Sequence, residues 1–508
     1  MKREIGFFVV VLAGAALYAW IFWHESLGIN ALLSAVFILA AMGKLHPGIF
    51  KENMARWAAV GLLFSSLMVI VNNSLIAKGL HVVTLALCIG VAQAPLLRFA
   101  WFSGLLALHG VIRAPLAMVF ELFRGRKNSL KWRTLRNLVL ITVIPTFAVL
   151  FFFWLYYFSN SAFAALADKV LKSVEYWPIW QWPLGRLFLA LLGASIVYAI
   201  GRDNPLAEKV ENWDENQQED LERKRKTERM QHNMIFGLVS SVLNAVLQVF
   251  WGRGAMVLKQ GYRVSFFTLI ALNLLLLIVN LTDVATVWWG IVPETPYELS
   301  QFVHTGTYLL IFSILVASFF VVVIFWNNLN FFPHNGPLKT AAMIWLAQNI
   351  LLALSVGARN YHYIAGYGLA YKRIGVLVFL LLTVIGLISL YLKVRDRKSM
   401  FYLLLTNTWA WYIVWMLCAT LNWDVLITRY NLRYTREHLD LPYLINDLSD
   451  KNLYVLYQEQ ALIPANSYEA QQLDNKRKRF EDRQASTTWL SWNWADEVNR
   501  RGVGASGD

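Results

Sequence analysis

The chain has 508 residues, of which 57% are hydrophobic, 15% aromatic and only 15% charged, whereas an average soluble domain is about 45–50% apolar and about 25% charged. This composition excludes an ordinary soluble enzyme and predicts an integral membrane protein. The 46 basic and 32 acidic residues give a net charge of +14, which the cationic bias of cytoplasmic loops explains without nucleic acid as a partner.

Apolar windows of about 20 residues, each long enough to cross a hydrocarbon core of ~30 Å, recur along most of the chain. They lack the alternation of barrel strands, so the predicted fold class is all-α: a polytopic helical membrane protein of about eleven transmembrane helices. The predicted spans are residues 5–23, 27–43, 57–77, 80–97, 135–158 and 184–201, then 265–283, 306–326, 340–357, 374–393 and 401–423. Residues 1–201 form an N-terminal bundle of six spans. Within it, residues 99–124 are apolar but carry His109, Arg113 and Pro115, which predicts an interfacial or broken helix. Residues 202–233 are a charged cytoplasmic linker, an acidic block followed by a basic run. Residues 234–423 form a C-terminal bundle of five spans, opened by a second interfacial segment, and residues 424–508 form a small extramembrane helical appendage.

Eleven spans gather most Lys and Arg of the short loops on one side, leaving Lys78, Lys169, Lys172, Arg186, Arg359, Lys372 and Arg373 on the other. By the positive-inside rule the N-terminus is expected in the cytoplasm and the appendage outside. The apolar run of residues 5–23 continues past Trp20 and Trp23 without a cleavage pattern and reads as a retained span. Both cysteines, Cys88 and Cys418, fall in apolar runs, so no disulfide framework or Cys-based zinc site is expected.

Polar residues inside the spans are candidate sites. Asn273, Asn280 and Asp283 are spaced by seven and three, near one face of a helix. Buried amides of this kind usually join helices. The alternative is a polar cavity containing Asn280 and Asp283 together with Glu298 and His304 from the outer segment 288–304. His304, His362 and Glu298 lack any metal-binding spacing, and neither a metal nor a cofactor is expected.

The most distinctive stretch is residues 358–373, ARNYHYIAGYGLAYKR, a cationic, Tyr-rich island between two spans. Tyr363, Tyr367 and Tyr371 recur every four residues and would share one helical face. Arg359 and Arg373, unusual on an outer side, are expected to pair with carboxylates such as Glu294, Glu298, Asp424 or Asp440, or with an anionic lipid headgroup. In the appendage, Arg429, Tyr430 and Asn431 form a companion motif. Asp440 with Pro442 marks a helix start ahead of Leu441, Leu444, Ile445 and Leu448. Residues 476–479 are expected in solvent, and Trp489, Trp492 and Trp494 to dock on the membrane or the spans.

Taken together, residues 363–373 with their Tyr-Gly-Leu core, Arg429-Tyr430-Asn431, HLDLPYLINDLSD at 438–450 and Trp-Leu-Ser-Trp-Asn at 489–493 resemble an uncharacterised bacterial multipass membrane family known only as a domain of unknown function. The resemblance lies mainly over residues 297–493. Where relatives would carry Thr-Arg after Tyr-Gly-Leu, this chain has Ala370-Tyr371-Lys372-Arg373. The resemblance implies a protein of the bacterial cytoplasmic membrane and no particular activity.

No phosphate loop, nucleophile elbow or His-Glu-x-x-His helix occurs in the sequence. A membrane glycosyltransferase or ligase would call for paired carboxylates in an early outer loop, where only Glu25 stands. The sequence therefore reads as a cell-envelope protein whose outward island and appendage bind a membrane lipid, an envelope polymer or a protein partner. A transporter or flippase is the alternative, and an enzyme the least supported class.

Overall fold

The computed structural model describes residues 2–122, 168–169, 184–221, 255–288, 296–325, 328–435, 439–464 and 467–504. The first bundle contains α1 (Lys2–Ile21), α2 (Ile29–Leu45), α3 (Asn53–Asn72), α4 (Leu75–Gln93), α5 (Ala100–Leu122) and α6 (Leu184–Gly201), followed by the short α7 (Ala207–Glu215). The second contains α8 (Ala255–Asp283), α9 (Pro296–Ile324), α10 (Gly336–Tyr367), α11 (Tyr371–Asp396) and α12 (Met400–Ala419). The appendage contains α13 (Trp423–Tyr434), α14 (Leu453–Gln458), α15 (Tyr468–Ser486) and α16 (Trp494–Gly504), joined by short helical turns. Among the described residues there is no strand, only an isolated bridge between Asp220 and Lys398. Residues 135–158 and most of 234–258 lie outside the described residues.

Among the described residues, eight helices are long and apolar enough to cross a membrane, and three shorter apolar helices accompany them. Their outward faces carry large apolar side chains, among them Leu12, Phe267, Leu274, Ile278, Leu309 and Phe312. So much apolar surface is stable only against lipid, and the chain is a multipass membrane protein.

Helix boundaries follow local chemistry that hydropathy does not see. The predicted span at 57–77 is displaced to Asn53–Asn72 because Asn73 takes a left-handed conformation with φ 49° and Ser74 caps α4 through the Ala77 N–H. Asn422 caps α13, so α12 stops at Ala419, short of the predicted 423. Close approach needs small residues: a side chain at Gly193 of α6 would overlap the Gly14 carbonyl of α1, and one at Gly90 of α4 would overlap Ser103 of α5.

α5 is one continuous helix that accommodates Pro115. Although long enough to span, it lies across one end of the bundle. Arg98, just before it, bonds Asp214 at 3.3 Å, His109 at its middle bonds Asn204 at 2.9 Å, and Glu121 near its end pairs with Arg202 at 2.7 Å. Arg202 and Asn204 follow α6 directly, and Asp214 sits on α7, the short helix after them. A 23-residue helix is ~34 Å long, so one that spanned could not keep both ends at the same face of the bundle. Its other side presents Trp101, Leu105, Leu108 and Ile112 as an exposed apolar stripe.

α12 joins the two bundles. It packs against α11 on one side and against α4, α3 and α5 on another. Its Tyr412 and Ala419 belong to the core of the first bundle, while Leu403 belongs to that of the second. The end opposite α5 is covered by the appendage, which has its own core built on Ile427, Leu444, Ile445, Leu453, Leu456 and Leu473.

Candidate functional site

The polar residues of α8 face α10. Asn273 Nδ2 donates to the Ala341 carbonyl at 3.0 Å and its Oδ1 accepts from Gln348 Nε2 at 2.8 Å. Asn280 Nδ2 donates to the Gln348 carbonyl at 3.1 Å, and Trp288 Nε1 donates to Ser355 Oγ at 3.1 Å. At the appendage end of this seam, Asp283 forms an ion pair with Arg359. Asp283 is only 5% exposed and Arg359 8%, so each charge depends on the other for its solvation. Asn280 and Asp283, the cavity candidates of the alternative reading, are part of a helix–helix seam. Glu298 and His304 fall on the first turns of α9, and their side chains lie outside the described residues, as does Glu294.

This pairing explains why α10 runs ten residues beyond the predicted end at 357. With Arg359 neutralised and Asn360 Nδ2 donating to the Arg373 carbonyl at 3.0 Å, the helix continues to Tyr367, where Gly368 ends it at φ 81°. The island is therefore the last turns of α10, a tight turn, and the first turn of α11.

The appendage grips that turn. Asn431 on α13 accepts from the Leu369 N–H at 2.6 Å and donates to the Leu369 carbonyl at 2.9 Å, pairing side-chain amide with backbone amide. A side chain at Gly368 would overlap Asn431 Oδ1. Tyr371 donates its hydroxyl to Asp424 at 2.9 Å, and the Tyr371 N–H donates to the Tyr443 hydroxyl at 3.0 Å. Ser449 donates to the second oxygen of Asp424.

Expected partners are corrected at three places. Arg359 meets Asp283, a carboxylate that was not among the expected partners, because the end of α8 lies level with Arg359 on α10. Arg373 is held by the carbonyls of Tyr367, at 2.7 Å, and Gly368, and it stacks over Tyr363 and Tyr367 at 4.3 and 5.8 Å from the ring centroids. Tyr363 and Tyr367 do share a helical face, their rings 4.9 Å apart, but Tyr371 lies beyond the turn and faces Asp424. Asp440, in turn, caps the Tyr443 N–H at 3.0 Å and so performs the helix-start role. Arg429 donates to the Tyr454 hydroxyl at 2.9 Å, and Tyr430 packs on Tyr434 at 5.0 Å.

Lys476, expected in solvent, is buried. Its Nζ donates to Asn452 Oδ1 at 2.9 Å and to the Leu448 and Leu444 carbonyls at 3.1 and 3.3 Å. Burial pushes its pKa down to about 8. Asp496 is also buried; desolvation alone would raise its carboxyl, but Lys451, Asn493 and Arg483 hold it below the usual range.

The Trp-Leu-Ser-Trp-Asn segment closes the cap. Ser491 Oγ accepts from the Ser26 N–H at 2.8 Å and donates to Glu25, and Glu25 also accepts from the Thr488 N–H at 3.2 Å. Burial opposes ionisation of Glu25, yet these bonds lower its pKa overall. Contact with the α1–α2 loop is made by Ser491 and Thr488, while Trp489, Trp492 and Trp494 remain 40–59% exposed.

One polar cluster escaped the sequence. Ser65 Oγ bonds Thr84 Oγ1 at 2.7 Å, and His81 Nδ1 lies 3.4 Å from the hydroxyls of Ser65 and Ser66. A lone His in an apolar run gives no signal until α3 and α4 are paired.

Residues 7–459 match the family described as Domain of unknown function (DUF4153). The chain belongs to that family. The match extends well into the first half, beyond the stretch where the resemblance was read, and stops before the terminal Trp-Leu-Ser-Trp-Asn. No curated protein and no solved structure matches the chain.

Proposed function

We propose that this is a protein of the bacterial cytoplasmic membrane with eleven spans, its N-terminus in the cytoplasm and its appendage outside, acting by binding an envelope partner. The orientation is supported by charge: Lys44, Lys51, Arg56, Arg98, Arg113, Arg202, Lys209, Lys339, Arg397 and Lys398 cluster at the α5 end, as cytoplasmic loops do. The span count is supported by the path of the chain. Glu121 lies at the α5 end, whereas Gly185 packs on Trp23 at the opposite end, so the chain changes ends between them, where residues 135–158 are the predicted span.

The observation that carries the binding role is the clamp of Asn431 and Asp424 on the turn between α10 and α11. It uses the island's polar groups to fix the appendage, leaving the appendage's outer surface for a partner. That surface exposes Trp489, Trp492, Trp494, Tyr434 and Tyr468, rings of the kind that anchor protein interfaces. Acidic residues slightly outnumber basic ones from Asp424 onward, which favours a protein partner over an anionic polymer. Transport is disfavoured because the α8 amides are engaged with α10.

A C-terminal fusion to a phosphatase active only outside the cytoplasm is expected to be active, and a cytoplasm-only fluorescent fusion dark; the reverse overturns the orientation. A photo-crosslinking residue replacing Trp492 is expected to capture a discrete protein in living cells. Capture of lipid or polymer alone would overturn the partner class.

A further inference from the structure

At the appendage end, a lateral groove of about 350 Å³ runs between α4, α11, α12 and the start of α13. The polar side-chain atoms of three wall residues are already engaged. The Tyr371 hydroxyl donates to Asp424 at 2.9 Å, Trp415 Nε1 to the Ile76 carbonyl at 3.1 Å, and Trp423 Nε1 to the Cys418 carbonyl at 2.8 Å. What the walls offer is hydrocarbon and ring faces, which suit an alkyl chain and repel a polar solute.

Its length identifies the source of that chain. Along α11 the groove extends from Tyr371 to Leu382, ~16 Å at 1.5 Å per residue, about half the ~30 Å hydrocarbon core and so the depth of one leaflet. Trp411 lies in the groove and is backed by Trp101 of α5, stacked at 5.3 Å.

Two residues mark the groove as kept open and charged at its mouth. Gly375 lies in its wall, and a side chain there would meet nothing within 4 Å. Glycine weakens a helix interior, and no neighbour demands it here; its effect is to leave space. Lys372 is exposed, one residue after Tyr371, and shares the helical face of Gly375, Phe379 and Leu382. The start of α11 adds its own partial positive charge. Arg359 and Arg373, by contrast, are turned to protein partners.

We infer that this groove holds one acyl chain of a phospholipid from the leaflet at the appendage end, with the phosphate against Lys372 and the start of α11. The lipid would touch α4 of the first bundle, α11 of the second, α12 between them and Trp423 of the appendage. The site does not depend on which side of the membrane that end faces.

The test uses the full chain in detergent, stripped of lipid and titrated with phosphatidylglycerol under native mass spectrometry. One saturable lipid is expected. Gly375→Leu should cut its retention at least tenfold. Lys372→Gln should weaken phosphatidylglycerol at least threefold while leaving diacylglycerol unchanged, and glycerol 3-phosphate should not compete. An arm free of mutations uses Cys418, which lies in the wall and is partly exposed while Cys88 is buried: saturating phosphatidylglycerol should slow its alkylation by N-ethylmaleimide at least threefold. Retention by Gly375→Leu equal to wild type at an unchanged unfolding temperature overturns the proposal, as does Cys418 labelling indifferent to lipid, or uptake without saturation.

Discussion

The two ends of the bundle solve the same problem, covering helix termini, by opposite means. At the α5 end, apart from the buried Asp214 that meets Arg98, charges meet near the surface. Arg202 bonds Glu4 at 2.6 Å although Glu4 is 58% exposed, and Lys398 bonds Asp220 at 2.6 Å although Asp220 is 69% exposed. At the appendage end the polar groups are buried and directed at backbone or at one another: Asp283 on Arg359, Asn431 on Leu369, Lys476 on three acceptors. Exposed pairs compete with water and contribute about 0–1 kcal/mol, whereas a buried group that loses its partner costs several times more. The appendage is accordingly the more strongly specified cover.

The largest expected effect is at the seam. Asp283→Ala leaves the Arg359 guanidinium buried beside an apolar gap and should destabilise the protein by about 3–5 kcal/mol, read as a lower unfolding midpoint in detergent. The double change Asp283→Leu with Arg359→Met should recover most of it, and equal losses in the two would break the comparison. Gly368→Ala comes next, at about 2–3 kcal/mol, from the left-handed backbone and the overlap with Asn431. Adding Asn431→Ala should then cost less than the sum of the two changes, because the overlap is gone.

A pH experiment isolates Lys476. Its folded pKa of about 8 lies below the 10.5 of a free lysine, so between those values the unfolded chain binds more protons and stability rises with pH. Between pH 7 and 9.5 the gain should be about 2 kcal/mol. It is measured as slower hydrogen exchange in α15, corrected for intrinsic rates and taken relative to Lys476→Met. A flat difference would show the amine to be solvated. The smallest effect is at the other end: Lys398→Ala should change the unfolding midpoint by less than about 1 kcal/mol, and a loss near that of Asp283→Ala would erase the contrast between the ends.

Much of the architecture is legible in the sequence because hydrophobic length is a one-dimensional property. The helix at Leu184–Gly201 has the predicted bounds. Partner choice is a different matter. Asp283 and Arg359 are 76 residues apart, and a hydropathy window ends α10 before reaching Arg359. Lys476 sits in a run of four basic residues, and only the helical phase of α15, with Leu473 and Phe480 buried beside it, turns it inward while Lys478 faces water. Asn431 reads as a polar residue among others until Gly368 supplies a turn for its amide to grip.

The contact between Ser26 and Ser491 joins positions 465 residues apart. At about 5–20 residues per second, the α1–α2 loop emerges roughly half a minute to a minute and a half before the segment that seals it is synthesised. Glu25 and Gly28 therefore stand uncovered through most of the protein's biogenesis. A chain cut short before residue 488 would have its helices inserted and its lid open, so this joint makes closure of the appendage end a late event of assembly.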